Sequence, residues 1–399
     1  MHILLIHQAF AALGEPGGTR HHEMARYLAA HGHRVTVIAS PVSYLTGEAE
    51  EAQPSEQDEG VTVLRAYTYH ALHRSFVHRV FSFLSFMVSS FFIGLRAKKV
   101  DLVWGTTPPL FQGVTAWLLA RLKRAFFLFE VRDLWPAFAV ATGVLRNKPL
   151  IHASEWLERF LYRRADQVMV NSPGFIEHVL ARGARQVELV PNGSDARMFD
   201  PQARGEAFRT AHGLEGKFVA LYAGAHGLSN DLGVVLEAAE QLREQPEIAI
   251  ALLGDGKDKP ALMRQAAEMM LPNLYFLAPV PKTEMPQALA AADACIAILK
   301  PLELYKTVYP NKVFDYMAAG RPVILAIDGV IRQVVEGAGS GVFCPPGDPG
   351  ALAAAIRQMA TDPEGARRMG LAGRACLEAH FDRPALAEKL QRVIEETAG

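Results

Sequence analysis

Short apolar runs alternate along this chain with stretches in which apolar residues recur every three to four positions. In the first half the runs predict strands over 3–6, 35–39, 61–65, 102–104, 126–130, 168–170 and 188–190. The periodic stretches predict helices over 19–31, 110–122, 150–164 and 174–182. Short buried strands that alternate with helices build parallel βαβ units, and a series of them folds as a doubly wound sheet. Residues 46–60 are acidic, polar and turn-rich, which predicts a mobile surface loop. After Pro191-Asn192-Gly193 the pattern pauses and then restarts. Strands follow over 219–222, 248–253, 274–277, 295–298, 323–326 and 341–343, with helices over 232–242, 260–269, 284–292, 311–319 and 351–359. The chain therefore reads as α/β, with two Rossmann-like halves joined near 191–216. Such sheets bind ligands beyond the carboxyl ends of their strands. Two set face to face make a cleft with one ligand on each wall.

Composition narrows this picture. A length of 399 residues suits two domains, and a chain half hydrophobic and 21% charged can fill both cores. A net charge of −1 gives no field that favours nucleic acid. Cys295, Cys344 and Cys376 form no CxxC pair, so neither a disulfide framework nor a zinc site is expected, which fits a reducing compartment. The apolar start, residues 1–6, lacks the basic flank of a signal peptide and reads as a first buried strand.

Candidate chemistry gathers at strand ends. Gly-Glu-Pro-Gly-Gly-Thr-Arg, residues 14–20, follows the first strand and precedes a helix, where backbone amides approach a phosphate closely. A tight turn would serve equally there, and the run is not the GxGxxG dinucleotide fingerprint. Glu-Val-Arg-Asp-Leu-Trp-Pro, 130–136, ends an apolar strand. Asp133 there is suited to accept a proton or orient a hydroxyl, and Arg132 to hold negative charge. The plainer alternative is an ion pair of Arg132 with Glu130 or Asp133. Gly224-Ala225-His226-Gly227 and Gly254-Asp255-Gly256-Lys257-Asp258-Lys259 follow the first two strands of the second half, and bring His226, Lys257 and Lys259 to the ligand edge.

Residues 305–323, from Tyr305 to Val323, carry the strongest signal. Pro310 and Asn311 start a helix, so free amides and the Lys312 ammonium converge where a diphosphate fits. Asp315, one turn on, is placed to accept bonds from paired ribose hydroxyls.

This order of motifs resembles the family 4 retaining glycosyltransferases, which share the two-domain GT-B fold. The likeness runs from Gly17-Gly18 through Arg132-Asp133, Ser172, Asn192-Gly193 and Gly254-Asp255-Gly256 to 311–323, and is nearest to transferases of N-acetylated amino sugars, such as fucosaminyl transferases, of bacterial O-antigen or capsule synthesis. It implies an acceptor-side domain over 1–195, a nucleotide-sugar domain over 196–379, and a C-terminal helix near 380–399 that packs back on the first. It implies a hexosyltransferase-type enzyme that moves sugar from a UDP-sugar to a polyprenyl-diphosphate-linked or oligosaccharide acceptor with retention. No cofactor and no metal are expected beyond the UDP-sugar co-substrate. The resemblance assigns Asp133, Arg132, His226 and Thr307 to the reacting centre, and Gly17, Gly18, Gly224, Lys259, Val280, Asn311, Lys312 and Asp315 to the nucleotide sugar. The chain departs from the family's Glu–seven residues–Glu pattern: Asp315 stands at the second acid and uncharged Thr307 at the first. A basic residue common after the Tyr-Ala-Gly strand is replaced by Ala225-His226. A UDP-sugar 2-epimerase on the same fold and an inactive nucleotide-sugar binder are the alternatives.

From 61 to 100 there is no acidic residue, while Arg65, Arg74, Arg79, Arg96, Lys98 and Lys99 all occur. The apolar run 80–95 within it is shorter than a bilayer span and broken by serines. Basic flanks around phenylalanines suit a helix lying on the inner leaflet, through about 72–99, of a cytoplasmic enzyme peripheral to the membrane. A buried core helix is the alternative.

Overall fold

The structure, a computed structural model, describes residues 1–15, 17–42, 55–70 and 76–398. The chain divides into two compact units. One comprises Met1–Ala12, Gly17–Pro191 and Pro384–Gly399, and the other Leu13–Pro16 and Asn192–Arg383.

The first unit is built on β1 (His2–Ile6), β2 (Arg34–Ala39), β3 (Ser55–Asp58), β4 (Val61–Arg65), β5 (Leu102–Thr106), β6 (Phe126–Val131), β7 (Gln167–Val170) and β8 (Val187–Leu189). Their order in the sheet is β3-β4-β2-β1-β5-β6-β7-β8. All pairs are parallel except β3 with β4. The strand order reverses on either side of β1, and the crevice beyond the carboxyl ends of β1 and β5 is where such a sheet binds ligands. The C-terminal helix Arg383–Ala398 closes one side of this core through Leu386, Leu390 and Ile394. The expected loop over 46–60 needs correction, because Ser55–Asp58 forms an antiparallel edge strand; residues 46–54 lie outside the described ones. Its sequence, Ser-Glu-Gln-Asp, has no apolar alternation because an edge strand with half-exposed faces needs none.

The second unit is built on β9 (Phe218–Ala223), β10 (Ile248–Leu253), β11 (Leu274–Leu277), β12 (Ala294–Ile298), β13 (Val323–Ala326) and β14 (Gly341–Phe343). Their order is β11-β10-β9-β12-β13-β14, parallel throughout. β9, β10, β12 and β13 are buried almost end to end, which is why they read as continuous apolar runs. Helices Glu206–His212, Val330–Gly337 and Pro363–His380 were not legible as separate elements. The strand order reverses at β9 and β12, and the loops after β9 and β10 and the helix after β12 meet at that edge.

Candidate functional site

In the second unit the two glycine turns interlock. Gly224 and Gly254 both have positive φ, and a Cβ on Gly254 would meet the Gly224 carbonyl at 2.0 Å. His226 N–H donates to the Asp255 carbonyl at 2.7 Å, and Asp258 N–H to the His226 carbonyl at 3.0 Å. Only glycine lets the backbones approach so closely. Lys259 is committed to this scaffold: its Nζ donates to the carbonyls of Gly254 at 2.7 Å and Leu277 at 3.0 Å. The imidazole of His226 is fully buried, with both ring nitrogens unpartnered among the described residues. Burial first, then the Lys259 charge, lowers its pKa to about 4, so it is neutral at pH 7.

Helix Asn311–Ala318 begins where the sequence places it. Lys312, in its first turn, folds back so that Nζ sits 3.9 Å from the centre of the Tyr222 ring and 3.4 Å from Asn230 Oδ1. Gly224 has no side chain because Lys312 occupies the space; a Cβ there would lie 2.9 Å from Nζ. Among the described residues Lys312 has no carboxylate partner. Burial alone lowers its pKa to about 7. A half-buried ammonium with no carboxylate partner, beside the amides of a helix start, is a setting chemically suited to hold an anion. Asn311 Oδ1 accepts from Arg383 Nη2 at 3.2 Å, which ties the helix start to the segment around Gly193.

Asp315 lies one turn further on. Its Oδ1 accepts from Lys282 Nζ and from Ser194 Oγ, each at 2.6 Å, while Oδ2 takes no bond among the described residues. Lys282 and Ser194 were not legible as site residues, since they lie 33 and 121 positions away in sequence. Val280, just after β11, packs half-buried against the core. Thr307 ends a 3-10 turn, and its hydroxyl donates to the Leu304 carbonyl at 2.7 Å.

In the first unit, Gly17 has φ +155° and a Cβ there would press Ala11 at 2.9 Å, whereas Gly18 faces open space. In the 130–133 cluster the carboxylate and the guanidinium each have several partners. Glu130, fully buried, accepts from Arg20 Nε at 3.2 Å, His21 Nε2 at 2.6 Å and Trp104 Nε1 at 3.2 Å. Burial opposes its ionisation, but His21 and Arg20 outweigh that and hold the carboxyl below the usual range. Arg132 Nη1 donates to His7 Nε2 at 2.6 Å, with His21 Nδ1 at 3.5 Å. His7 and His21 accept there as neutral rings; burial holds His7 well below its ordinary pKa and His21 at about 4. This fixes Arg132 at the carboxyl edge of β6. The neighbouring Asp133 is pushed up to about 7 by burial, against the pull of Arg132. His7, Arg20 and His21 carried no spacing signal, because β1 and helix Arg20–Ala30 bring them to Glu130 only in the fold.

All three cysteines are free. Among the described residues no three His, Cys, Asp or Glu side chains converge as a metal site would require.

Two doubly wound units, each with its charged groups at the carboxyl edge of the sheet, define the GT-B class of glycosyltransferases. Solved structures with this fold include sucrose-phosphate synthase from Thermosynechococcus elongatus, with a TM-score of 0.80, 20% identity and coverage of 99% of this chain and 98% of that one. Anabaena HepE in complex with UDP-glucose aligns at a TM-score of 0.74 and 17% identity, over 99% of this chain and 100% of that one. Residues 17–193 match the Glycosyl transferase 4-like domain and 217–362 the Glycosyl transferases group 1 domain. The chain thus carries glycosyltransferase family 4/group 1 domains and is a hexosyltransferase-type glycosyltransferase. Among curated relatives, the putative colanic acid biosynthesis glycosyl transferase WcaI of Escherichia coli is 29% identical over 84% of this chain and 86% of its own length.

Proposed function

We propose that the chain transfers an N-acetylated amino sugar from a UDP-sugar to a lipid-linked or saccharide acceptor, with retention, in the synthesis of a bacterial surface polysaccharide. The observation that carries the donor side is the half-buried Lys312 ammonium, which has no carboxylate partner among the described residues, at the start of helix Asn311–Ala318. A diphosphate supplies the missing negative charge, and bond cleavage to the anomeric carbon adds more, so Lys312 and the helix amides stabilise the leaving group. Asp315 Oδ2 accepts a ribose hydroxyl, with the carboxylate held still by Lys282 and Ser194. Lys259 acts from behind, fixing the Gly254 turn on which the phosphates rest. Thr307 flanks the sugar, while neutral His226, enclosed within the glycine turns, shapes them from behind.

On the acceptor side Arg132 and Asp133 do the positioning, and Gly17 and Gly18 leave the backbone bare for approach. Asp133, ionised, accepts the bond of the attacking hydroxyl, while the departing phosphate takes its proton on the same face. The role in a surface polysaccharide draws support from the likeness to WcaI, and UDP from the fold shared with the UDP-glucose complex. Free cysteines accord with a cytoplasmic enzyme. A thermal-shift screen of UDP, GDP, dTDP and their sugars tests the donor. UDP and UDP-N-acetylated sugars raise Tm under this reading, because a ligand bound only by the native state stabilises it. A rise with GDP or dTDP alone refutes UDP.

A further inference from the structure

Helix Phe76–Arg96 has one buried stripe and, opposite it, one exposed apolar stripe. Ser82, Phe86, Ser90 and Gly94, four apart, are buried. They form one stripe of the helix. The helix is fixed to its neighbour Phe111–Lys123, where Thr115 Oγ1 donates to the Met87 carbonyl at 2.9 Å and a Cβ on Gly94 would meet Leu119 at 2.4 Å. The opposite stripe, Phe81, Val88, Phe92 and Leu95, is 58, 50, 59 and 41% exposed. An exposed apolar stripe of this kind marks an interaction face. The helix is long and apolar enough to cross a membrane. It nevertheless joins β4 to β5 of one sheet and is packed against it, so it lies flat on the unit.

Charge selects the partner. Residues 61–100 contain no Asp or Glu. Exposed Arg96, Lys98 and Lys99 follow the stripe, and exposed Arg121 and Arg124 end the neighbouring helix, which Lys123 ties on through the Leu95 and Ala97 carbonyls. Beside Arg96 and Lys98 opens a cavity of about 550 Å³, lined also by Arg34, Arg65, Thr36 and Thr62. Arg65 is engaged with Glu56 and the Ser40 carbonyl, but among the described residues Arg34, Arg96 and Lys98 make no ion pair.

We infer that this face docks on an anionic phospholipid surface, with Phe81, Val88, Phe92 and Leu95 in the headgroup–acyl boundary and a lipid phosphate in the Arg34–Arg96–Lys98 cavity. The inference is independent of the donor reading. An amphipathic helix with this division of residues binds through buried apolar area together with attraction to acidic lipid. It places the unit that carries Arg132 and Asp133 where a membrane-borne acceptor would be met.

The test is sedimentation of the full chain with vesicles of phosphatidylcholine alone or mixed equally with phosphatidylglycerol. The expected result is binding to the mixed vesicles, weakened by salt, and little to phosphatidylcholine. Arg96→Glu/Lys98→Glu weakens it by at least about fivefold per position. Phe81→Ser/Phe92→Ser abolishes it, and both variants keep the parent's melting curve because all four side chains are exposed. Equal binding to both vesicles, parental binding by either variant, or no binding overturns the inference. So does a concentration-dependent dimer lost in Phe81→Ser/Phe92→Ser, which would give the face to a second copy. Tight binding of soluble glycerol phosphate without vesicle binding would make the cavity a metabolite site instead.

Discussion

Glu130, fully buried, and Lys312, half-buried, both carry charge at the ligand edge of a doubly wound sheet, and they are treated in opposite ways. Glu130 in the first unit receives three donors, two of them able to carry positive charge, and its carboxylate is held ionised. Lys312 in the second unit has an aromatic face and one distant amide oxygen, and burial holds its pKa down to about 7. A buried charge whose partners are complete is architecture. One whose partners are missing costs stability until a ligand supplies them. The contrast gives Glu130 the holding of His21, and through it Arg132, and under the proposed function it leaves Lys312 to hold the substrate.

Substitutions separate these roles. The largest effect is expected at Glu130: Glu130→Ala strands Arg20 and His21 in the core and lowers unfolding free energy by about 3–5 kcal/mol in denaturant melts. Lys312→Met does the reverse. It cuts kcat/KM by about 10²–10³-fold, the scale of losing one preorganised group on developing charge, while Tm is unchanged or rises. The sign follows from linkage. With the folded pKa near 7 and the unfolded value near 10.5, the unfolded chain binds more protons between these limits, so Lys312 depresses stability fully below pH 7 and less as pH rises. A melt of Lys312→Met below parental Tm would contradict this.

The pH profile is a finer probe. The proposed function has Asp133 working ionised and Lys312 charged, and burial brings both pKa values to about 7. The kcat/KM profile is therefore a narrow bell centred near neutrality. Asp133→Asn removes the acid limb and leaves the alkaline one, and Lys312→Met removes the alkaline limb. A flat profile from pH 5 to 9 would dismiss both assignments. The smallest effect on stability is at the glycine loop: Gly18→Ala leaves Tm unchanged, because a Cβ there meets nothing in the protein, whereas Gly17→Ala lowers it by straining its positive φ and pressing on Ala11.

Much of the fold was legible because both sheets bury their strands on two faces, so that β1, β10 and β12 read as unbroken apolar runs. β3 was not, because Ser55–Asp58 is polar and gains its strand character from β4 alone. The start of helix Asn311–Ala318 was legible from Pro310, which cannot continue a helix backwards. Its electrostatic setting was not. Whether Lys312 is paired depends on Tyr222 and Asn230, and whether Asp315 is free depends on Lys282 and Ser194, all brought in by other elements. The run 80–95 was legible as apolar, but which of its residues face inward depends on Leu119 pressing against Gly94.

The central claim is that a nucleoside diphosphate completes the charge of Lys312. Calorimetric titration of UDP at pH 8, in two buffers of different ionisation enthalpy, tests it directly. Free Lys312 is then mostly neutral and must take up a proton as the diphosphate binds. The account predicts uptake of close to one proton per UDP in the parent chain and none in Lys312→Met. Binding of UDP with no proton uptake, or with the same uptake in both chains, would contradict it.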